Sequence, residues 1–240
     1  MDDFQNEEIF IPGRPKPRTV RYVGMIRAAA KPIGSHSRSG VEQEPDRQEP
    51  SSLAELNAWL KEIKPMVHGG RRAVLGEGPI GAPLALVGEQ PGDQEDLQGH
   101  PFIGPAGRLL DRALEAAGVE RQETYVTNAV KHFKYEQRGK RRIHQKPTVS
   151  EVKRYRWWLM KELEFVHPHV VVALGATAAL ALTGAPVVIS RTRGPAQFGP
   201  FRGFITVHPS SLLRQQDDAA RAASYDAFVR DLKKSARLAA

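Results

Sequence analysis

The sequence predicts an α/β fold, a three-layer α/β/α sandwich around a central four-stranded parallel sheet. Three observations predict it. Four short apolar runs, Leu84–Val87, Tyr125–Val130, Val170–Leu174 and Gly203–Val207, have the length and composition of buried strands. They stand too far apart to be joined as hairpins. Helical apolar patterns occupy the intervals, and such alternation implies parallel strands linked by crossovers and covered on both faces.

Each element has its own local signal. Ser52 and Glu55 have capping-box spacing at the head of Leu53, Leu56, Leu60 and Ile63, a first helix ahead of the sheet. After the first strand, Leu109, Leu110 and Leu114 repeat at helical spacing up to Gly118. Thr148 and Glu151 form a second capping box, opening a helix through Trp158, Leu159 and Leu163 that stops before Pro168. Ala176 to Leu182, ended by Gly184, and Ala219 to Ala236 supply two more helices. No internal repeat is present. Residues 1–50 hold six prolines, few large apolar side chains and polar runs such as SHSRSG, so a disordered N-terminal tail is expected, followed by one domain over residues 51–240.

Composition narrows the chemistry. The 240 residues include no cysteine, which excludes disulfides, thiol-built zinc fingers and any cysteine-ligated iron–sulfur cluster. No apolar run is long enough to span a bilayer, and the acidic start MDDFQNEEIF is not a secretory signal, so a cytoplasmic protein is expected. The net charge of +8 is concentrated in one place: residues 131–156 hold ten Lys/Arg against Glu136 and Glu151, while the two signs cancel over the remainder. A basic segment this dense, placed between elements, points to a polyanion such as nucleic acid.

In an open α/β sheet, ligands gather at the carboxyl ends of the strands, and each strand here leads into an unusual polar sequence. The first leads into GEQPGDQEDLQGHPFIGPAG, with Glu89, Gln90 and Phe102; the second ends near Asn128, ahead of the basic loop; the third leads into LGATA and the fourth into HPSSLLR. Taken singly these are weak. The glycines fit neither a phosphate loop nor a G-x-G-x-x-G fingerprint. Asn128 at a strand end is more often a turn or capping residue than a base reader. His208 before proline is as easily structural as catalytic. Their conjunction along one sheet edge favours a functional site.

The ordered set GEQPG, PFIGPAGRLLD, YVTNAVKHFK, KRRIH, LGATA and VHPSSLLR resembles the uracil-DNA glycosylase superfamily, and specifically its UdgX-type branch related to the family 4 enzymes. The resemblance runs from about Leu75 to Lys234, and KRRIH at Lys140–His144 is the part that marks the branch. It implies a DNA repair enzyme that flips uracil out of DNA and cleaves its N-glycosidic bond. Asn128, Phe102 and Gln90 would hold the base: the amide accepts from N3–H and donates to O4, the ring stacks, and the backbone around Gln90 makes contact. His208 would donate to O2 as charge builds on the departing base, and Glu89 would stabilise the sugar cation or orient the nucleophile. Lys140, Arg141 and Arg142, with Ser210, Ser211, Leu212 and Arg214, would contact DNA, and Leu212, Leu213 and Arg214 would fill or brace the space the base vacates. His144 would attack C1′ and leave a covalent adduct. A turning-over enzyme that uses water, or a DNA-binding module without chemistry, remain the alternatives. The implied partner is uracil-containing DNA, preferably single-stranded, met by a monomer.

The chain departs from this family at one point. Members carry a [4Fe–4S] cluster, and the corresponding positions here fall in Lys61–Gly70, at His132 and at Tyr155, none of them a thiol. No cofactor or metal is therefore expected.

Overall fold

The computed structural model describes residues 49–240. The expected tail lies outside the described residues apart from Glu49 and Pro50. Helix α1 (Leu53–Glu62) starts where the capping box places it, with the Ser52 side chain accepting from the Glu55 amide at 3.2 Å, and buries Leu56 and Leu60.

The sheet follows from β1 (Leu84–Gly88), β2 (Tyr125–Asn128), β5 (Val170–Leu174), β6 (Gly194–Phe198) and β7 (Phe201–Thr206), in the order β2-β1-β5-β7-β6. Its first four members are parallel, as predicted. Alternate residues explain the continuous apolar runs: Ala85, Val87, Val171 and Ala173 face one core, while Leu84, Leu86, Val170, Val172 and Leu174 face the other. The first core is closed by α1, α4 (Val149–Val166) and α5 (Ala176–Thr183). The second is closed by α3 (Pro105–Ala117) and α8 (Asp218–Ala239).

Two corrections arise. The sheet has five strands rather than four, because β6 adds antiparallel to β7 at the edge. Its sequence GPAQF begins with glycine and proline and is mostly solvent-facing, so it lacks the apolar run by which a central strand is known; proline is tolerated there because an edge strand leaves amides unpaired. The basic segment is also not an irregular loop. It folds as a hairpin, β3 (Tyr135–Arg138) and β4 (Arg141–His144), turning at Gly139, and forms a second sheet of its own. Short elements α2 (Asp93–Gln98), α6 (Ile189–Thr192) and α7 (Pro209–Leu213) complete the chain, with one 3-10 turn at Arg121–Glu123.

Register decides where chemistry can occur. Gly88 is level with Asn128, Val87 with Ala173, and Leu174 with Thr206, so the parallel strands all end along one edge. No helix among the described residues is long and apolar enough to cross a membrane.

Candidate active site at the carboxyl edge of the sheet

A cavity of about 870 Å³ opens at this edge and is lined by Glu89, Phe102, Asn128, His144, His208 and Arg214 among others. Its size suits a nucleotide. Asn128, the last residue of β2, is 3% exposed, and its side-chain amide makes no hydrogen bond among the described residues. Neither polar atom of that amide is fully enclosed, so it opens on the cavity, where a ligand can supply the bond it lacks. Gly88 beside it has to be glycine: a Cβ there would collide with the Asn128 carboxamide and the Phe102 ring. Phe102 itself holds φ of 57°, uncommon for an aromatic residue, which turns its ring into the cavity 6.1 Å from the His208 ring.

Glu89 leaves β1 facing two partners. Thr177, in the first turn of α5, donates to Oε2 at 2.5 Å, and Nε2 of His144 lies 3.4 Å from Oε1. Burial works to raise the Glu89 carboxyl, but the hydrogen bonds from His144 and Thr177 outweigh it, hold the group below the usual range and keep it ionised at neutral pH.

His208 caps α7. The Ser210 amide donates to its Nδ1 at 3.2 Å, and the Ser210 hydroxyl lies 2.8 Å from the same atom. Those contacts place the lone pair on Nδ1 and the proton on Nε2 of the neutral ring. Burial pushes His208 down to about 4, against the pull of Glu89 and with help from Arg214 and His144, so at pH 7 it is a neutral N–H donor. Gly175, at φ of 91°, lets the start of α5 pass close by; a Cβ there would come within 2.9 Å of the His208 Cβ.

The remaining expected site residues divide. His144 sits at the end of β4 with its ring half-exposed at the cavity, and Lys140 and Arg141 project from the hairpin tip. Arg142 is placed otherwise. Its guanidinium is 7% exposed, paired with Asp93 at 2.5 Å and with Asp96, and lies over the Phe133 and Tyr135 rings, so it anchors the hairpin to α2 instead of facing phosphate. Gln90 lines the cavity, while its side chain is engaged with the hairpin. Its Nε2 donates to the carbonyls of Lys134 at 3.2 Å and Gln145 at 3.1 Å, and its Oε1 accepts from the Lys134 amide, which clamps both ends of the hairpin. Leu212 is 1% exposed within the second core, whereas its neighbour Leu213 is exposed. Ser210 is occupied with His208 and Arg214, and Ser211 donates to the His208 carbonyl, so both brace α7.

Several functional neighbours escaped sequence reasoning. Thr177 lies inside LGATA, where a hydroxyl in the first turn after a strand was the available signal. Asp93 and Asp96 stand in GDQED, an acidic first turn complementing the basic hairpin. Glu95, between them, accepts from the Gly92 and Gly104 amides at 3.1 and 3.0 Å and ties together the two glycine turns of the cavity wall.

The positions that the resemblance assigned to cluster ligands hold a different construction. Tyr155 accepts from the Met66 amide at 3.0 Å, and its hydroxyl meets Nδ1 of His132 at 2.6 Å. Burial pushes His132 down to about 4 despite the charge of Asp96, which leaves a neutral ring as acceptor for the phenol. One imidazole and one phenol already bonded to each other do not match the thiolate donors of an iron–sulfur cluster, and no group of metal-ligating side chains occurs among the described residues.

Comparison with known proteins agrees with the geometry. The uracil DNA glycosylase superfamily model matches residues 75–233. The chain is 37% identical over 151 residues to the type-4 uracil-DNA glycosylase of Thermotoga maritima, covering 62% of this chain and 75% of that protein. It is 33% identical over 174 residues to the Pyrobaculum aerophilum enzyme of the same name, covering 68% and 85% respectively. Against the Archaeoglobus fulgidus type-4 enzyme it is 40% identical over 106 residues, 44% of this chain and half of that protein. Sheet order, the polar segments gathered at one edge and these matches lead to one conclusion: the chain belongs to the uracil DNA glycosylase superfamily.

Proposed function

We propose that this protein excises uracil from DNA in base excision repair and that His144 then captures the exposed sugar, leaving a covalent protein–DNA adduct. The observation that carries this reading is the Thr177–Glu89–His144 arrangement on the wall of a cavity that His208 and the unbonded Asn128 amide also line. The flipped uracil stacks on Phe102 and pairs with the Asn128 amide, which accepts from N3–H and donates to O4; cytosine presents the opposite polarity at its 4-position and leaves the amide mismatched. As the N1–C1′ bond breaks, its electron pair moves onto the base and the His208 Nε2–H donates to O2. C1′ becomes an oxocarbenium ion. Glu89 takes the proton from Nε2 of His144, and the electron pair of that N–H bond forms the new bond to C1′, so the carboxylate is neutralised as the alkylated imidazole forms. Exposed Leu213 and Arg214 brace the space the base leaves, and Lys140 and Arg141 hold phosphates.

The enzyme is further proposed to prefer single strands, to act as a monomer and to fold without iron. The last point is supported by the cysteine-free sequence and by the His132–Tyr155–Met66 contacts. One incubation with uracil-containing single-stranded DNA tests the chemistry on a denaturing gel, run before and after alkali. A slow-migrating adduct is expected. A strand cleaved only after alkali assigns the capture to water, and an unchanged strand rejects the glycosylase reading altogether. Duplex substrate, size-exclusion mass and metal analysis of the purified protein check the other three points.

A further inference from the structure

The ten cations of residues 131–156 separate into two groups. Lys131 is buried against Glu162, Lys134 pairs with Glu151 at 2.8 Å, Arg138 with Glu136 at 3.1 Å, and Arg142 with Asp93 and Asp96. Arg156 is half-buried, its guanidinium 3.4 Å from the Leu182 carbonyl. Lys140, Arg141, Lys146, Lys153 and Arg154 are exposed and meet no carboxylate among the described residues. The first three belong to the hairpin and the cavity rim. Lys153 and Arg154 do not, and nothing in the proposed chemistry uses them.

Both lie on the outer face of α4. That helix buries Val152, Tyr155, Leu159, Leu163 and Val166, and the opposite face carries Ser150, Lys153, Arg154 and Trp157 at spacings of three and four residues. Trp157 is 42% exposed, and the edge of Trp158 is set against it at 4.9 Å, which fixes the orientation of the ring. An exposed indole flanked by two cations and no acid is an unusual solvent face, since an ordinary one mixes both signs. It offers what a nucleic acid strand requires: charge for phosphates and a flat apolar surface for a base. The face is also continuous with the site. Lys146 lines the cavity, Thr148 caps α4, and Glu151 in its first turn holds Lys134 at the foot of the hairpin. At 1.5 Å per residue, Lys153 to Trp157 lie roughly 8–14 Å along the helix from that cap. That is about two to four nucleotides at 3.4 Å each.

We propose that this face of α4 is a second DNA contact, in which Lys153 and Arg154 hold backbone phosphates and Trp157 stacks on an unpaired base flanking the flipped nucleotide. It rests on DNA being the substrate but not on the chemistry at His144. The test therefore measures binding of uracil-free, pyrimidine-rich single strands to the full-length protein by fluorescence anisotropy, over a series of salt concentrations and with long and short oligonucleotides. For the variant K153A/R154A, the slope of log affinity against log salt is expected to fall in magnitude by about 1.4, two phosphates at roughly 0.7 each. W157A is expected to bind the long strand about 5- to 150-fold more weakly, W157F to retain most of the affinity, and K153R/R154K to keep the slope. The short strand, which ends before it reaches the face, is expected to bind all variants alike, and uracil excision from a short substrate to stay at the wild-type rate. Equal salt slopes for wild type and K153A/R154A would overturn the proposal, as would equal losses on short and long strands. Wild-type protein that binds these strands as proposed yet leaves uracil-DNA unchanged refutes the glycosylase reading and leaves this contact standing.

Discussion

Thr177 offers a direct test of how Glu89 is prepared. Replacing it by valine keeps the volume and β-branching while removing the donor that lies 2.5 Å from Glu89 Oε2. The Glu89 side chain is 22% exposed, so water replaces that bond only in part, and the remaining partner, His144, is at the longer distance of 3.4 Å. A hydrogen bond to a charged group contributes about 1.5–3 kcal/mol. If that stabilisation is expressed in the capture step, T177V slows adduct formation about 10- to 150-fold. The pH dependence supplies a second readout. The Thr177 bond is one of the forces that hold the Glu89 carboxyl low, so its loss moves that carboxyl upward and the acid limb of the rate profile moves to higher pH. The other charged or titratable groups facing Glu89 are His144 from the hairpin and His208 ahead of α7, the latter backed by Arg214; all three are left in place. Single-turnover reactions on uracil-containing single strands, quenched and resolved on denaturing gels across about pH 5 to 9, measure both effects. T177S, which restores the hydroxyl, is expected to recover the rate and the profile, and binding to uracil-free DNA is expected to be unchanged in both. A T177V enzyme with the wild-type rate and the wild-type acid limb would falsify the claim that Thr177 positions Glu89.

Other consequences can be checked with the same reagents. N128A is expected to abolish action on uracil-DNA while general DNA affinity stays near wild type; wild-type processing would remove Asn128 from base reading. H144G is expected to lose the adduct and release abasic DNA with turnover, whereas an adduct that survives denaturation in this variant moves the nucleophile elsewhere. His132 is held neutral with its folded value near 4 against about 6.5 unfolded, so the unfolded chain binds the extra proton first as pH falls. The His132 contribution is therefore full above about pH 6.5 and falls by about 3 kcal/mol toward pH 4, and His208, pushed down to the same value, loses a similar amount; a denaturation midpoint independent of pH across that window contradicts both. K131M leaves the buried Glu162 without its ammonium partner and is expected to cost about 3–5 kcal/mol by denaturant unfolding, with K131M/E162L recovering most of it; additive losses would show that the pair is not a unit.

The parts legible in the sequence were those with one strong local cause. Val170–Leu174 reads as a strand because both its faces are buried, and Ser52, Thr148, Gly118 and Gly184 announce helix ends by their capping chemistry. Strand β6 was not legible because an edge strand with Gly194 and Pro195 carries no apolar run. The β3–β4 hairpin was hidden by its own charges, since neither Tyr-Glu-Gln-Arg nor Arg-Arg-Ile-His has a buried face to impose alternation. In the site, residues at strand ends such as Glu89, Asn128 and His208 could be placed at one edge from topology alone. Side chains whose partners lie far along the chain could not: Gln90 meets Lys134 and Gln145, and Arg142 meets Asp93 and Asp96, through contacts that only folding brings together. Leu212 and Leu213 illustrate the same limit at the scale of one residue, because the phase of a five-residue helix decides which leucine enters the core.

The hairpin has a structural independence that bears on how such proteins diverge. Its two strands share no ladder with the main sheet and are fastened mainly by side chains, the Gln90 amide, the Arg142 pair with Asp93 and Asp96, and the Lys134–Glu151 link, with one backbone bond from the Tyr135 amide to the His68 carbonyl. On the proposed reading, the groups that hold the base and the histidine that captures the sugar therefore sit on different parts of the fold. Such an attachment behaves as a cartridge, exchangeable by insertion or deletion between Lys134 and Gln145 without disturbing the strands that hold Asn128 and Glu89. If His144 captures the sugar as proposed, a lineage could switch between release and capture of its product by trading this one appendage. An engineer could attempt the same transplant on a related scaffold, provided the recipient carries the glutamine and the two aspartates that serve as its sockets.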